Sequence, residues 1–249
     1  MKTSLAARLE RVAELSGAVR PILPALVSFI MASTLAVALV AARVVVTGRV
    51  QVFYLVGNLL LAWLPLVFAL VVWREAERPR PRCARVIVGG AAWLLFLPNA
   101  PYIFTDLTHL AKLHASSTAP PWFDLLLHLL FAMIGLMLGF ASLTVMQNLV
   151  ERARGKWAGW GFALAALALA GFGIYLGRFL RWNSWDVLLS PVSLLRDIAH
   201  CCVAPWNHAR TWGFSLVCFL FLVPSYLMCR VSPQLRVRHG GTIDPPSAL

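Results

Sequence analysis

The sequence predicts an all-α membrane protein: a polytopic helical bundle of about six transmembrane helices, with short interfacial helices on its outer face. Two observations support this prediction. Of the 249 residues, 60% are hydrophobic and only 13% are charged, whereas soluble domains contain about 25% charged residues. The charged residues are also segregated, because six stretches of 19 to 26 residues contain no Asp, Glu, Lys or Arg.

Each charge-free stretch is long enough to cross a bilayer as a helix. A hydrocarbon core about 30 Å thick requires about 20 apolar residues at a rise of about 1.5 Å per residue. A β-barrel would need shorter strands of alternating polarity, which these stretches do not show. We therefore treat residues 1–249 as one membrane domain, with 240–249 as a disordered tail. The predicted spans are about 22–42, 52–73, 86–104, 124–148, 158–178 and 211–229.

The distribution of Lys and Arg predicts the orientation of the spans. Fifteen of the 22 basic residues fall on the side that holds both termini, and seven fall on the other side. Because positively charged segments are retained in the cytoplasm during insertion, both termini are predicted to be cytoplasmic. The net charge of +12 also favours contact with anionic membrane lipids. No nucleic-acid partner is predicted, since the basic residues are divided among four short segments without a binding motif.

The third span contains an irregular segment near its outer end. Pro98 and Pro101 bracket Asn99. Proline removes a backbone donor and clashes with the preceding turn, so the helix is predicted to break or kink there. Irregular backbone within a membrane must be buried in protein or line a wet cavity. Asn99 is therefore either a partner for the freed backbone groups or a residue that faces a ligand.

Two Asp and His pairs follow, one on each side of an outer loop. Thr105 is predicted to cap a short interfacial helix in which Asp106 and His109 lie opposite an apolar stripe. Asp124 and His128 lie one turn apart at the start of the fourth span. If the pairs converge, they could bind a metal or act as a general acid and base. Otherwise they are separate solvated or packed residues.

The fifth span ends near two arginines. Arg178 and Arg181 are predicted to share one helical face on the outer side, and Asn183 and Asp186 follow them. An arginine at the edge of an apolar span requires a partner. A structural pair with a carboxylate such as Asp186 is the first interpretation, and an anionic ligand is the second. The third is extension of the side chain to lipid phosphate.

A second interfacial helix is predicted from Pro191 to about Val203, because its apolar residues share one face. At its end, His200, Cys201, Cys202 and His208 could approach a metal. Their spacing lacks the paired C-x-x-C pattern of a zinc site, so no metal ligand is assigned there.

Three of these segments resemble one bacterial family. The most specific string is Trp93-Leu-Leu-Phe-Leu-Pro-Asn-Ala-Pro-Tyr-Ile-Phe-Thr-Asp-Leu-Thr-His-Leu110, and Trp122-Phe-Asp124 and Arg181-Trp-Asn-Ser-Trp-Asp186 accompany it. Together they resemble the membrane family catalogued as domain of unknown function 1361, over most of residues 25–230. The resemblance implies a multi-pass protein of the bacterial inner membrane, and it implies no reaction.

Three classes of function fit these residues. The favoured class is an outer-face polar pocket that binds an anionic solute or a lipid headgroup. The alternatives are a membrane enzyme that uses Asp and His on a lipid-linked substrate, with or without a metal, and an assembly subunit without a small-molecule site. No Gly-rich phosphate loop, H-E-x-x-H or G-x-S-x-G is present, so nucleotide-driven pumps and the commoner hydrolases lack support. No catalytic residue, cofactor or oligomeric state is assigned. The predicted binding residues are Asn99, Asp106, His109, Asp124, Arg178, Arg181, Asn183 and Asp186.

Overall fold

In the computed structural model, the residues that the structure describes, which are 23–110, 119–203 and 205–231, are mostly helical. No β-strand occurs in these ranges. Six helical segments within them are long and apolar enough to cross a membrane, and they follow the order of the six charge-free stretches. The predicted all-α polytopic membrane fold is confirmed. The predicted disordered tail, 240–249, lies outside the described residues.

The described ranges contain nine α-helices and two short 3-10 helices. The 3-10 helices are Ile103–His109 and Pro205–His208. The α-helices are α1 (Leu23–Thr47), α2 (Tyr54–Ala76), α3 (Cys83–Phe96), α4 (Asn99–Tyr102), α5 (Pro121–Arg154), α6 (Lys156–Phe179), α7 (Asp186–Leu189), α8 (Pro191–Val203) and α9 (Ala209–Val231). Helix α8 has the bounds predicted for the second interfacial helix.

The third span breaks where its two prolines lie. Helix α3 ends two residues before Pro98, and α4 begins directly after that proline. The Ala100 amide donates three residues back, to the Leu97 carbonyl at 3.3 Å. Neither Pro98 nor Pro101 has an amide hydrogen with which to continue the α-helical ladder. The predicted break is therefore confirmed.

The residues after α4 form a 3-10 helix instead of the predicted α-helix. Thr105 lies inside it and donates its hydroxyl hydrogen to the Tyr102 carbonyl at 2.7 Å, so it does not cap a helix. Residues three apart lie above one another in a 3-10 helix. Ile103, Asp106 and His109 therefore share one edge, on which the first two are buried. Asp106, which was predicted to lie opposite an apolar stripe, is therefore aligned with the apolar Ile103 and is buried with it.

Two compact units divide the chain. Unit 1 comprises the residues up to Val72 together with Cys83–Gly139, and unit 2 comprises Trp73–Arg82 and the residues from Phe140 onward. Helix α5, which is 34 residues long, contributes its first part to unit 1 and its second part to unit 2.

In unit 1, the broken part of the third span packs against two glycines of α5. A Cβ atom added at Gly135 would clash with the Ala100 carbonyl oxygen and would lie 3.0 Å from the Ile103 side chain. A Cβ atom at Gly139 would lie 3.1 Å from the Ala100 Cβ and 3.5 Å from Pro101. Small residues four apart allow backbones to approach closely in membranes. These glycines therefore fix the position of the turn against α5.

In unit 2, helix α6 packs against α9. Their backbones approach closely at Gly171, where an added Cβ atom would lie 2.8 Å from the Ser215 carbonyl oxygen. The buried Tyr226 hydroxyl donates to Gln147 Oε1 at 2.7 Å, and the Gln147 amide donates to Glu151 at 2.7 Å. These bonds join α9 to α5 and satisfy the buried side chains of Tyr226 and Gln147, as burial requires.

Candidate functional site

Seven polar side chains of unit 1 cluster near the ends of four helical elements. They come from the end of α1, the start of α2, the first 3-10 helix and the start of α5. Four of them, including both carboxylates, are at most 2% exposed. Ionisable groups buried in a membrane protein are costly and commonly mark functional sites. The set, called the unit 1 network, is Arg43, Tyr54, Asn58, Asp106, His109, Asp124 and His128.

Arg43 and Asp124 form a buried ion pair. The Arg43 Nε donates to Asp124 Oδ1 at 2.6 Å, and Nη2 donates to Oδ2 at 3.1 Å. Arg43 lies one turn before the end of α1, whereas Asp124 lies in the first turn of α5, where the helix dipole favours a negative charge. The side chains are 1% and 0% exposed. Removing either partner would leave a buried charge without compensation.

His128 connects α5 to α2. Its Nδ1 lies 2.7 Å from the Asp124 carbonyl oxygen, and its Nε2 lies 2.9 Å from the Tyr54 hydroxyl. Because a carbonyl oxygen only accepts, Nδ1 must hold a hydrogen. In the neutral ring Nε2 is then the acceptor, and the Tyr54 hydroxyl donates to it. The imidazole is therefore held in one tautomer, with its basic nitrogen directed at the phenol.

Asp106 and His109 contact residues of α2, the helix that His128 also contacts. The Asn58 side-chain amide donates to Asp106 Oδ2 at 2.7 Å. The ring centroid of Tyr54 lies 5.9 Å from that of His109 and 6.3 Å from that of His128. Tyr54 and Asn58 are one turn apart and so lie on one face of α2. The two Asp and His pairs are therefore brought together by α2.

Three of the four predicted site residues in unit 1 belong to the network, and the fourth, Asn99, is half-buried at the start of α4. The sequence contained signals for some of the residues outside the predicted set. Arg43 is a basic residue on the side with fewer positive charges, and Asn58 is an amide within a charge-free stretch. The network residues outside the predicted set are Arg43, Tyr54, Asn58 and His128.

In unit 2, the prediction that Arg178 and Arg181 share one helical face is wrong. Helix α6 ends at Phe179, and Arg181 has a φ of 59°, in the left-handed region. The Trp182 amide donates to the Leu176 carbonyl, six residues back, at 3.2 Å. A left-handed residue directly after the last turn is a common way for a helix to end. The chain therefore leaves the helix before Arg181, which is exposed, while Arg178 is half-buried within α6.

The carboxylates near this helix end bind neutral donors. The Asp186 side chain, at the first position of α7, accepts the backbone amide hydrogen of Asn183 at 2.6 Å. Asp197 of α8 accepts the indole hydrogen of Trp182 at 2.9 Å. Residues 180–183 are called the arginine turn. Among the residues that the structure describes, Arg181 of this turn has no ion-pair partner.

His200, near the end of α8, contacts His208, at the end of the second 3-10 helix. The rings of His200 and His208 are 4.8 Å apart and meet edge to face. Cys201 is buried, and its carbonyl accepts the indole hydrogen of Trp212 at 3.1 Å. In residues 23–110, 119–203 and 205–231, no group of three or more His, Cys, Asp or Glu side chains is arranged to hold a metal ion.

The fold defines a multi-pass helical membrane protein, and unit 1 holds a buried network of ionisable side chains. A family model described as "Protein of unknown function (DUF1361)" matches residues 58–224. The chain therefore belongs to this family. The matched segment contains the arginine turn and most of the unit 1 network, while Arg43 and Tyr54 precede it. Searches of curated proteins and of solved structures returned no match.

Proposed function

We propose that the protein binds a phosphate-bearing anionic ligand, in the form of a lipid headgroup, through the arginine turn at the outer face of the bacterial inner membrane. The observation that supports this proposal most directly is the exposed Arg181 guanidinium, which lies beyond the end of α6. A guanidinium binds phosphate with two parallel hydrogen bonds. The neighbouring carboxylates accept hydrogens from Asn183 and Trp182.

The surroundings of the arginine turn favour a position at headgroup depth. Trp185 is 41% exposed, and Trp side chains are enriched where the headgroups meet the hydrocarbon. The bond from Trp182 to Asp197 attaches the turn to α8. Helix α8 exposes large apolar side chains such as Leu195, as expected of a helix lying in the membrane interface. Arg181 would then lie level with lipid phosphates.

The unit 1 network is less suited to contact a phosphate. The carboxylates of Asp106 and Asp124 are buried and accept hydrogen bonds from Asn58 and Arg43. Two buried carboxylates would repel an anion, and the guanidinium of Arg43 is already bound. The ligand is therefore assigned to the arginine turn alone, within unit 2.

The proposed orientation places both termini in the cytoplasm. A periplasmic reporter enzyme fused after Lys112, or within the segment at Arg196, is expected to be active. The same reporter fused after Arg80, Arg154 or Arg238 is expected to be inactive, because positively charged segments are retained in the cytoplasm. Enzyme activity in intact cells measures the location of each fusion. An active fusion at Arg80 would contradict this orientation.

The lipid proposal predicts the behaviour of Arg181→Gln. Loss of one charge-assisted contact is expected to weaken phosphatidylglycerol binding about tenfold. Native mass spectrometry of the purified protein, titrated with phosphatidylglycerol, measures this change. Zwitterionic phosphatidylcholine tests whether the charge of the headgroup matters.

Arg80→Gln is the matched control, because Arg80 is an exposed arginine in the segment before α3. It should bind phosphatidylglycerol as the wild type does. An equal loss in both variants would indicate general charge attraction and would overturn the proposal. Competition by inorganic phosphate in place of lipid would assign the site to a free anion instead of a headgroup.

A further inference from the structure

The unit 1 network contains a hydroxyl group in contact with an oriented base. Nε2 of His128 lies 2.9 Å from the Tyr54 hydroxyl, and its other nitrogen is held by the Asp124 carbonyl at 2.7 Å. A nucleophile, a base within hydrogen-bond reach and a third group that orients the base are the parts from which enzymes build an activated nucleophile. Here the third group is a backbone carbonyl, which fixes the tautomer that makes Nε2 basic.

The two members of the pair differ in accessibility. His128 is 0% exposed, whereas Tyr54 is half-buried at the first position of α2. A ligand could therefore reach the tyrosine while the base stays shielded from bulk water. Burial of the base also protects it from competing reactions with solvent.

The charges around the pair favour an uncharged reactant. Arg43 approaches from α1 and is bound to Asp124 of α5. Asp106 and His109 approach from the 3-10 helix, and Asp106 is a second carboxylate, held by Asn58. The described side chains thus contain two carboxylates and one guanidinium. An anionic reactant would be repelled, but an ester carbonyl would not.

We propose that Tyr54 is a base-activated nucleophile, with His128 as its proton acceptor, that takes an acyl group from an uncharged carboxylic ester. The Tyr54 oxygen forms a bond to the acyl carbon, and His128 Nε2 takes the phenolic proton. The bond between the acyl carbon and the leaving oxygen breaks, and that oxygen takes the proton from His128. The products are acyl-tyrosine and the free alcohol. This site lies wholly in unit 1 and does not depend on the lipid site of unit 2.

The test is acetylation of the purified full-length protein by p-nitrophenyl acetate, with the modified residues identified by peptide mass spectrometry. Tyr102 is the internal control, since it is a half-buried tyrosine of unit 1, and in the described part of the chain no histidine is bonded to its hydroxyl. General-base assistance contributes about 10²–10⁴-fold, so Tyr54 should react at least about tenfold faster than Tyr102. Equal rates at the two tyrosines would overturn the proposal.

Two further measurements test whether His128 acts as a base toward Tyr54 or is only a structural contact. His128→Gln should lower the Tyr54 rate to that of Tyr102, and Tyr54→Phe should abolish the fast reaction. If His128→Gln does not fold, the pH profile of the wild type decides. Its ratio of Tyr54 to Tyr102 labelling should rise between about pH 5 and 8, where imidazoles lose their protons. A ratio that stays flat over this range, or a folded His128→Gln that labels as fast as the wild type, would show that the contact is only structural.

Discussion

Replacement of Asp124 by alanine is expected to lower the free energy of unfolding by about 3–5 kcal/mol, because it leaves the Arg43 guanidinium buried without its counter-charge. The wild-type pair is held by two hydrogen bonds, at 2.6 and 3.1 Å, between side chains that are 1% and 0% exposed. Water cannot replace the lost carboxylate at such a site. The change can be measured by denaturant titration and thermal unfolding of the purified protein in detergent micelles.

An exposed ion pair of the same length provides the control. Arg152 Nη1 lies 2.6 Å from Glu77 Oε1, with side chains that are 67% and 49% exposed. Glu77→Ala should cost no more than about 1 kcal/mol, since solvent screens exposed pairs. Replacing both buried partners, as Arg43→Met with Asp124→Leu, should recover most of the loss, because it removes both buried charges. An Asp124→Ala protein as stable as Glu77→Ala would contradict the role given to the buried pair.

The rule that delimited the predicted spans also explains why the Arg43 and Asp124 pair was not predicted. Each span was delimited by its first charged residue, so the first span was predicted to stop before Arg43 and the fourth to begin at Asp124. In the structure α1 continues to Thr47 and α5 starts at Pro121. Both charges therefore lie inside helices. A charge within a membrane helix is tolerated when a partner from another helix neutralises it, and a single helix sequence does not contain that partner.

The burial of Asp106 involves a helix type that the sequence did not predict. We predicted an α-helix after Thr105. The observed 3-10 helix has three residues per turn, which aligns Asp106 with the buried Ile103. The two prolines predicted that the α-helix would end, but they did not specify which helix would follow. The Asn58 partner was likewise far away in sequence.

The arginine turn illustrates a different difficulty. The left-handed residue that ends a helix is usually glycine, because other residues are strained there. Here that residue is Arg181, with a φ of 59°. With no glycine at this position, the helical period was extended too far, and Arg178 and Arg181 were placed on one face. The chemistry of Arg178 and Arg181 identified them as site candidates. The directions of their side chains depended on a helix end that lacks the usual glycine.

The sequence of α5 contains a clearer signal for close packing, in the Gly135 and Gly139 pair, and this gives the last prediction. Gly135→Ala is expected to destabilise the protein by about 1–3 kcal/mol, because its Cβ would clash with the Ala100 carbonyl oxygen. The obstacle is backbone in a turn that has Pro98 before it and Pro101 after it, so it cannot move aside as a flexible side chain would. Thermal unfolding in detergent measures the effect.

Gly57→Ala in α2 separates this clash from helix propensity. A Cβ at Gly57 would meet no atom within 4 Å, so this variant gains only the helix preference of alanine, up to about 1 kcal/mol. The two substitutions are chemically identical and both lie in helices of unit 1. Gly57→Ala should therefore be as stable as the wild type or slightly more stable, while Gly135→Ala should be less stable. A gain of stability in both variants would contradict this packing. It would mean that the turn at Ala100 lies farther from α5 than the distances of 3.0 Å at Ile103 and 3.1 Å at Gly139 indicate.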